Sequence, residues 1–131
     1  MTTDLPRDVY ASSESPEWYT PAWVAELARA VLGAIDLDPA SSKEAQQTIG
    51  AERYYTAEQD GLAQPWAGRV YLNPPYGKTI GLWVDRLVAA YDAGEISAAV
   101  ALLPARPDTR WFQPLYRFPL CFVRGRIRFD L

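Results

Sequence analysis

The sequence predicts an α/β fold with a mainly parallel sheet, and three observations support this prediction. Segments with helical spacing of apolar residues alternate with short apolar runs, in the order helix, strand, helix, strand, helix, strand. The length of 131 residues suits one domain with one core. Hydrophobic residues make up 49% of the chain, yet the longest apolar run, near 98–103, is far too short to cross a membrane.

The first part of the chain predicts an arm and a helix. Residues 1–16 are polar and without periodicity, which predicts a flexible N-terminal arm ahead of a single domain over 17–131. Thr20 and Pro21 predict a helix start, with the Thr20 hydroxyl as the N-cap and Pro21 in the first helical position. The helix ends at Gly33. Its predicted buried face consists of Trp23, Val24, Leu27 and Val31.

The next segments predict strands that end in polar residues. Residues 34–38 have a strand pattern that Pro39 ends, so we expect Asp36 and Asp38 at or near the carboxyl end of that strand. The other predicted elements of this part are a short helix over 43–48 capped by a serine, a brief strand over 53–56 and a central strand over 69–72.

The C-terminal half predicts one further helix and one further strand before a hairpin. Helical spacing over 80–93, with Trp83 on the core side, predicts a helix that Gly94 ends. The apolar residues with that spacing are Leu82, Trp83, Leu87, Val88 and Tyr91. The continuous apolar run over 96–103 predicts a strand that is buried on both faces. Beyond it we predict a short helix over 110–116 and two strands, 120–123 and 126–129, with Arg126 and Arg128 on one face.

The composition excludes several kinds of chemistry. The chain has no histidine, which removes Ser-His triads and the usual zinc ligands, so no metal site is expected. Cys121 is the single cysteine and excludes an internal disulfide. The first residues lack the basic and apolar regions of a signal peptide, and the cytoplasm is therefore the expected compartment.

Charge is distributed unevenly along the chain. Residues 1–100 carry 7 basic and 14 acidic groups, whereas residues 101–131 carry 6 basic and 2 acidic groups. The basic end is where a polyanion could bind. An ordinary charged surface accounts for counts of this size equally well.

The loop after the central strand, 73–77, carries the most distinctive chemistry. Pro74 and Pro75 fix two φ angles and remove two backbone donors, so the strand ends there and its carbonyls face the space that the loop lines. The exocyclic amino group of a base is a poor nucleophile because its lone pair is delocalised into the ring. The Asn73 oxygen and the Pro74 carbonyl can accept its two hydrogens, and Tyr76 offers a ring on which a base can stack.

Two predicted segments should meet at one cleft. Ligands of parallel α/β sheets bind beyond the carboxyl ends of the strands. The Asp36 and Asp38 segment and the Asn73 loop are both predicted to lie there.

Several segments, taken in order, resemble the small phage-type DNA N6-adenine methyltransferases, which are relatives of the Dam enzymes. The matching segments are Glu17-Trp18-Tyr19-Thr20-Pro21, Asp36-Leu37-Asp38-Pro39-Ala40-Ser41, Asp60-Gly61-Leu62, Asn73-Pro74-Pro75-Tyr76-Gly77, Leu103-Pro104-Ala105-Arg106 and Arg124-Gly125-Arg126-Ile127-Arg128-Phe129. The resemblance implies a single Rossmann-like methyltransferase domain, S-adenosylmethionine as cofactor, DNA as partner, and a bacterial or phage-infected cell as the setting.

Members of that family continue beyond the last matching segment. We therefore expect a small sheet that lacks an edge strand, and a homodimer or a partner subunit could supply further DNA contacts. Many methyltransferases also have a glycine-rich cofactor loop, where this chain has Pro39-Ala40-Ser41-Ser42.

Carried over residue by residue, the resemblance implies three groups of site residues. The catalytic group that holds the target adenine is Asn73, Pro74, Pro75 and Tyr76. The cofactor group is Thr20, Pro21, Asp36, Asp38, Pro39, Ala40 and Asp60. The DNA-binding group is Arg106, Arg124, Arg126 and Arg128.

Two other functions stay open at this point. The first keeps the cofactor but transfers the methyl group to RNA or to a protein glutamine, whose amide poses a similar problem of nucleophilicity. The second is a non-catalytic methyltransferase remnant that binds DNA or a partner protein.

Overall fold

A computed structural model describes residues 20–128, so the predicted arm over 1–16 and the last residue of the predicted hairpin lie outside the described residues. Four parallel strands form one sheet in the order β2-β1-β3-β4. The predicted α/β fold with a mainly parallel sheet is therefore confirmed. The helices are α1 (Ala22–Leu32), α2 (Gln46–Ile49) and α3 (Ile80–Asp92), and the strands are β1 (Leu37–Asp38), β2 (Arg53–Tyr54), β3 (Gly68–Leu72) and β4 (Ile96–Ala101). Short 3₁₀ helices span Ala57–Gln59, Gly61–Ala63 and Gln113–Arg117.

The central strand β3 divides the core into two layers. Its side chains alternate between the two faces of the sheet, as the pleat of a strand requires. Val70 and Leu72 pack in the cluster that contains Trp83 of α3, whereas Tyr71 packs with Ala25 and Ala28 of α1. The sheet is thus covered on both faces. Trp83 lies in the core as predicted, whereas Leu82 and Tyr91 of the same predicted apolar spacing are exposed.

Helix α1 begins at Ala22, one residue after the predicted first position Pro21, and has a different cap. Pro21 occupies the N-cap position, and its carbonyl accepts the N–H groups of Val24 and Ala25. No side chain caps the helix, so the prediction that the Thr20 hydroxyl does so is wrong. That hydroxyl is used in the site described below.

The buried face of α1 also differs from the prediction. Trp23, Leu27 and Val31 are exposed, with Trp23 at 49% of its full accessibility. Small side chains on the adjacent face allow the helix to approach the sheet closely, where they share a cluster with Ala98 and Val100 of β4. The residues that α1 buries are Val24, Ala25, Ala28 and Leu32.

Strand β4 is shorter and more exposed than predicted. It spans Ile96–Ala101 rather than 96–103, and among residues 20–128 it pairs with β3 only, at the edge of the sheet. Ser97 and Ala99 are exposed, so the prediction of burial on both faces is wrong. The run consists largely of alanines, and exposing such small apolar side chains at the edge of a sheet costs little. A long apolar run therefore need not be buried on both faces.

The segment between β1 and β2 has the predicted helix and strand, but with other bounds and without the predicted cap. Helix α2 begins at Gln46 with Ala45 as its N-cap and no side-chain cap, so the prediction of a helix over 43–48 capped by a serine is wrong in these respects. The Ser42 hydroxyl accepts the backbone N–H of Ala45 at 3.1 Å in the turn before the helix, and β2 is shorter than the predicted 53–56. Helix α2 ends at Gly50, which has a φ of 64° that glycine adopts without strain.

The C-terminal segment contains a helix but not the predicted hairpin. The 3₁₀ helix Gln113–Arg117 packs on α3, and an ion pair between Arg117 and Asp92 fastens it there. Residues 120–128 form no strand. The side chains of Leu120 and Phe122, which would form the buried face of such a strand, are exposed and do not pack on the core. The prediction that Arg126 and Arg128 share one strand face is therefore wrong. Within residues 20–128, no helix has the length and apolar character needed to cross a bilayer.

Candidate functional site

The carboxyl ends of β1 and β3 bring the two predicted site segments together. These strands are adjacent and parallel, with Leu37 paired to Val70. Asp38 is therefore the last residue of β1 at the edge where Asn73 follows β3. Tyr71 lies next to this edge, where burial, and to a smaller extent the charge of Asp38, raises its pKa.

A chain of hydrogen bonds fixes the side chain of Asn73. The Thr20 hydroxyl lies 2.9 Å from the phenolic oxygen of Tyr71, and both groups are buried. The amide nitrogen of Asn73 donates to the Thr20 oxygen at 3.3 Å. Because the amide nitrogen is turned towards Thr20, the amide oxygen is the atom that Asn73 offers on its other side.

The rest of the acceptor loop extends from the core to the surface. Pro74 is buried, whereas Pro75 and Tyr76 are exposed, Tyr76 at 46%. The Tyr76 hydroxyl donates to the carbonyl of Leu102 at 3.5 Å, and the N–H of Leu102 donates to Leu72 at 2.8 Å. The segment after β4 therefore supports one side of the loop.

Asp38 is a buried carboxylate with one unsatisfied oxygen. The residue is 2% exposed, and its Oδ2 accepts a hydrogen bond from Gln46 at 2.9 Å. Its Oδ1 is fully buried and has no hydrogen-bond partner among residues 20–128. Burial is the main reason that the pKa of this carboxyl is raised to about 7. A buried acceptor without a donor is unfavourable unless a ligand supplies one.

Gln46 holds the Asp38 loop in place and was not among the predicted site residues. Its amide nitrogen donates to both Asp38 and the Ser41 hydroxyl, and its amide oxygen accepts the N–H of Ala51 at 2.7 Å. These three contacts fix the orientation of the Gln46 amide. No local sequence signal marks this role, because a glutamine in a short polar helix is usually a surface residue.

Asp36 lies at the amino end of β1, not at the carboxyl end as predicted. Its carboxylate receives the backbone N–H of Arg69 at 2.7 Å, the Nε at 2.8 Å and the Nη2 at 3.1 Å. These hydrogen bonds to Arg69 are the main reason that the pKa of Asp36 is lowered. The structure thus separates the two aspartates: Asp36 joins β1 to β3, and Asp38 faces the site.

The Asp60 turn packs directly against the loop that follows β1. A Cβ atom at Gly61 would lie 1.9 Å from the carbonyl oxygen of Pro39. The indole nitrogen of Trp66 donates to the carbonyl of Gly61 at 2.8 Å. Asp60 itself is exposed, has a φ of 56° and accepts the N–H of Leu62 with its side chain. The structure therefore brings the turn that contains Asp60 against Pro39, and the cofactor role of these residues remains a prediction.

Gly61→Ala is expected to destabilise the protein by about 3 kcal/mol or more, because the added methyl group meets backbone rather than a flexible side chain. The Pro39 loop and the Asp60 turn would have to separate to accommodate it. Urea unfolding of the variant beside the wild type measures this change. An unchanged unfolding midpoint would show that the two segments are not in close contact.

A cavity of about 590 Å³ opens beside these two loops. It is formed by the segments that follow β1 and β2, at the edge of the sheet where ligands of this fold class bind. Its lining residues are Ser41, Ser42, Lys43, Glu44, Thr56, Ala57 and Glu58. The lining includes Ser41 of the loop after β1 but none of the predicted catalytic or cofactor residues, so Asp38, Asn73 and Tyr76 all lie outside it.

The four predicted DNA-binding arginines lie on the surface. Arg106 is 3.8 Å from the carboxylate of Asp108, and both side chains are largely exposed. Arg124, Arg126 and Arg128 are exposed in the segment that the structure leaves without regular elements. Their predicted role remains a prediction.

The fold and the site define a Rossmann-like α/β domain with a polar acceptor loop and a buried carboxylate at the carboxyl edge of its sheet. The chain belongs to the DNA N-6-adenine-methyltransferase (Dam) family, whose family model matches residues 10–130. Comparison with the curated proteins and with the solved structures finds no match. Membership of the family agrees with the resemblance of the sequence segments, and the family name identifies DNA adenine methylation as its activity.

Proposed function

We propose that this chain transfers the methyl group of S-adenosylmethionine to the N6 amino group of adenine in DNA. One observation carries the proposal: the amide nitrogen of Asn73 donates to Thr20, so the amide oxygen is left as an acceptor in the residue directly before Pro74. The family of the chain supports DNA as the substrate.

Asn73 and Pro74 would act on the amino group of the base. By accepting its two hydrogens, the Asn73 oxygen and the Pro74 carbonyl favour a more tetrahedral nitrogen and free its lone pair for attack. The chain has no histidine to serve as a general base. Transfer of the methyl group would leave the cofactor as a neutral thioether and the nitrogen with a positive charge, so one of the two protons that the nitrogen already carried would leave to solvent afterwards.

Tyr76 would hold the ring of the adenine. An amino group inside a duplex is out of reach, so the base must be turned out of its stack. The exposed Tyr76 ring, held at its hydroxyl by the Leu102 carbonyl, offers a flat surface beside the two acceptors. Stacking on an aromatic ring offsets part of the cost of unstacking the base.

Asp38 is the residue of the cofactor group that fits a ligand best. Its buried Oδ1 has no partner in the part of the chain that the structure describes, and the ammonium or hydroxyl groups of S-adenosylmethionine would supply the donor that it lacks. When bound, S-adenosylmethionine supplies an activated methyl group. Pro39, Ala40 and Asp60 would line its site next to Asp38, whereas Asp36 is engaged by Arg69.

The basic C-terminal region would bind the DNA backbone. Six of the 13 basic residues fall in residues 101–131, against two acidic ones. Arg106, Arg124 and Arg126 are exposed there and can neutralise phosphates without reading the sequence.

The proposal is tested by offering tritiated S-adenosylmethionine to the purified protein with DNA, RNA or bulk protein as the acceptor. We expect label in adenine-containing DNA, at N6 when the nucleosides are separated, and little in the other acceptors. Label found only in RNA or only in protein would show that this acceptor, and not DNA, is the substrate. S-adenosylmethionine binding without transfer to any acceptor would indicate a non-catalytic protein.

A further inference from the structure

Tyr71 is a buried residue of the central strand, and its hydroxyl belongs to the hydrogen-bond chain that reaches Asn73. It is 1% exposed, and its hydroxyl lies 2.9 Å from the Thr20 hydroxyl. The Thr20 oxygen in turn accepts a hydrogen bond from the amide nitrogen of Asn73. Tyr71 is therefore one hydroxyl group away from the proposed catalytic amide. Burial raises its pKa, so the phenol stays neutral across the working pH range.

The direction of the hydrogen bond between Thr20 and Tyr71 decides which atom of Asn73 faces the substrate. A hydroxyl group has one proton to donate and two lone pairs. If Thr20 donates its proton to Tyr71, only lone pairs remain for Asn73, and the amide must turn its nitrogen towards Thr20. If Thr20 instead donates to Asn73, it binds the amide oxygen and turns the nitrogen outwards.

The donation from Asn73 to Thr20 agrees with the first arrangement, and also with one in which Tyr71 and Asn73 each donate to a lone pair of the Thr20 oxygen. Of these, only donation from Thr20 to Tyr71 leaves Thr20 with no proton for the amide oxygen, which then stays available to accept a hydrogen from an amino group. Tyr71 stabilises this arrangement by offering the Thr20 proton an acceptor in a buried environment, where an unmet hydrogen bond is costly.

We propose that Tyr71 is a positioning residue that acts through Thr20 to keep the Asn73 amide oxygen directed at the acceptor base. This inference rests on the proposed methyl transfer for its catalytic consequence. Its structural part concerns the amide alone and can be tested without any substrate.

The sequence offers a direct probe, because Asn73 is the single asparagine of the chain. Protein labelled with ¹⁵N-asparagine therefore gives one side-chain NH₂ group in a ¹H–¹⁵N spectrum. In the wild type, one of its two protons should be shifted downfield and exchange slowly, since it is bound to Thr20. Thr20→Val should remove that signature, and Tyr71→Phe should weaken it, because the Thr20 proton is then free to turn to the amide oxygen.

The catalytic consequence is tested by steady-state kinetics on the same variants. Tyr71→Phe should lower kcat about 10- to 100-fold with little change in KM for DNA or S-adenosylmethionine, because a misdirected group impairs the reacting geometry. The Tyr71→Phe, Thr20→Val double variant should lose no more than the worse single variant, since both act on one amide. Tyr55→Phe is the matched control: it removes a hydroxyl that donates to the Pro65 carbonyl at 2.7 Å.

The outcomes separate this inference from the proposed function. A wild-type NH₂ signal or a wild-type kcat in Tyr71→Phe overturns the positioning role, and so does a loss of kcat that Tyr55→Phe shares. A wild-type protein that methylates no DNA overturns the proposed function instead. In that case the NH₂ signals still decide whether Tyr71 orients Asn73.

Discussion

Asn73→Ala is expected to lower kcat for adenine methylation by at least about 100-fold, the loss typical when one preorganised polar group of an active site is removed. The substitution deletes one of the two acceptors that would polarise the amino group. It also removes a single partly buried hydrogen bond of 3.3 Å, which contributes only about 1 kcal/mol to folding. The effect on catalysis should thus far exceed the effect on stability.

Asn73→Asp is the matched variant for this prediction. A carboxylate keeps acceptor oxygens at the same position, and the Thr20 hydroxyl can donate to it in place of the lost amide donor. Asn73→Asp should therefore retain more activity than Asn73→Ala, while both bind S-adenosylmethionine. Single-turnover methylation of an adenine-containing duplex measures the difference. A wild-type rate in Asn73→Ala would exclude the loop as the acceptor site.

The strand that leads into this loop was predictable because its signals are local. An apolar strand followed by Asn73 and two prolines can only end there, and parallel pairing then places the loop beside the end of β1. Asp38 was predictable for the same reason. The position of Asp36 was not predictable, because the alternation of side chains along a strand does not reveal at which residue the pairing with its neighbours begins.

The errors in α1 and β4 have a common physical cause. Side-chain size governs the prediction of burial, so Trp23, Leu27 and Val31 were favoured over the alanines beside them. Packing instead favours small side chains where a helix lies close to a sheet, and Ala25 and Ala28 provide that fit. In β4 the alanines formed a long apolar run, although the strand lies at an edge.

The hydrogen-bond partners within the site could not be predicted from the sequence. Gln46 contacts Asp38 across eight positions, and Thr20 contacts Asn73 across 53. Such contacts depend on the fold, not on local pattern. Thr20 also has a strong local alternative, since a threonine before Pro21 favours a cap that the structure does not form.

Between about pH 4 and pH 7, Asp38 is expected to make the ligand-free protein less stable as the pH rises. Its pKa is raised from 3.8 to about 7, chiefly by burial. The folded protein therefore keeps a proton that the unfolded chain has lost. The retained proton stabilises the folded protein. This stabilisation is complete below the pKa of Asp38 in the unfolded chain and is lost as the pH rises through its pKa in the folded protein. The linked loss is roughly 4 kcal/mol, because one pKa unit corresponds to about 1.4 kcal/mol.

Asp36 gives the opposite dependence in a different pH range. Its pKa is lowered from 3.8 by its hydrogen bonds to Arg69, so its stabilisation is present above that value and lost only at lower pH. Asp38→Asn should remove the slope between about pH 4 and pH 7, and Asp36→Asn should leave it in place while destabilising the fold. Urea unfolding at a series of pH values measures both. A wild-type slope in Asp38→Asn would show that another group is responsible.

Asp38→Asn should also separate stability from cofactor binding. At about pH 8 the variant should be at least as stable as the wild type, because it lacks a charge that burial penalises. Its affinity for S-adenosylmethionine should fall about 10- to 100-fold, the equivalent of one lost hydrogen bond to a charged group. Wild-type affinity should rise between about pH 5 and pH 8 as the carboxyl loses its proton, and the variant should lose this rise. Calorimetric titration of both proteins at the two pH values, with Asp36→Asn as the control, measures these changes. A variant that is stabilised yet binds S-adenosylmethionine as the wild type does would mean that the buried oxygen of Asp38 serves a different ligand.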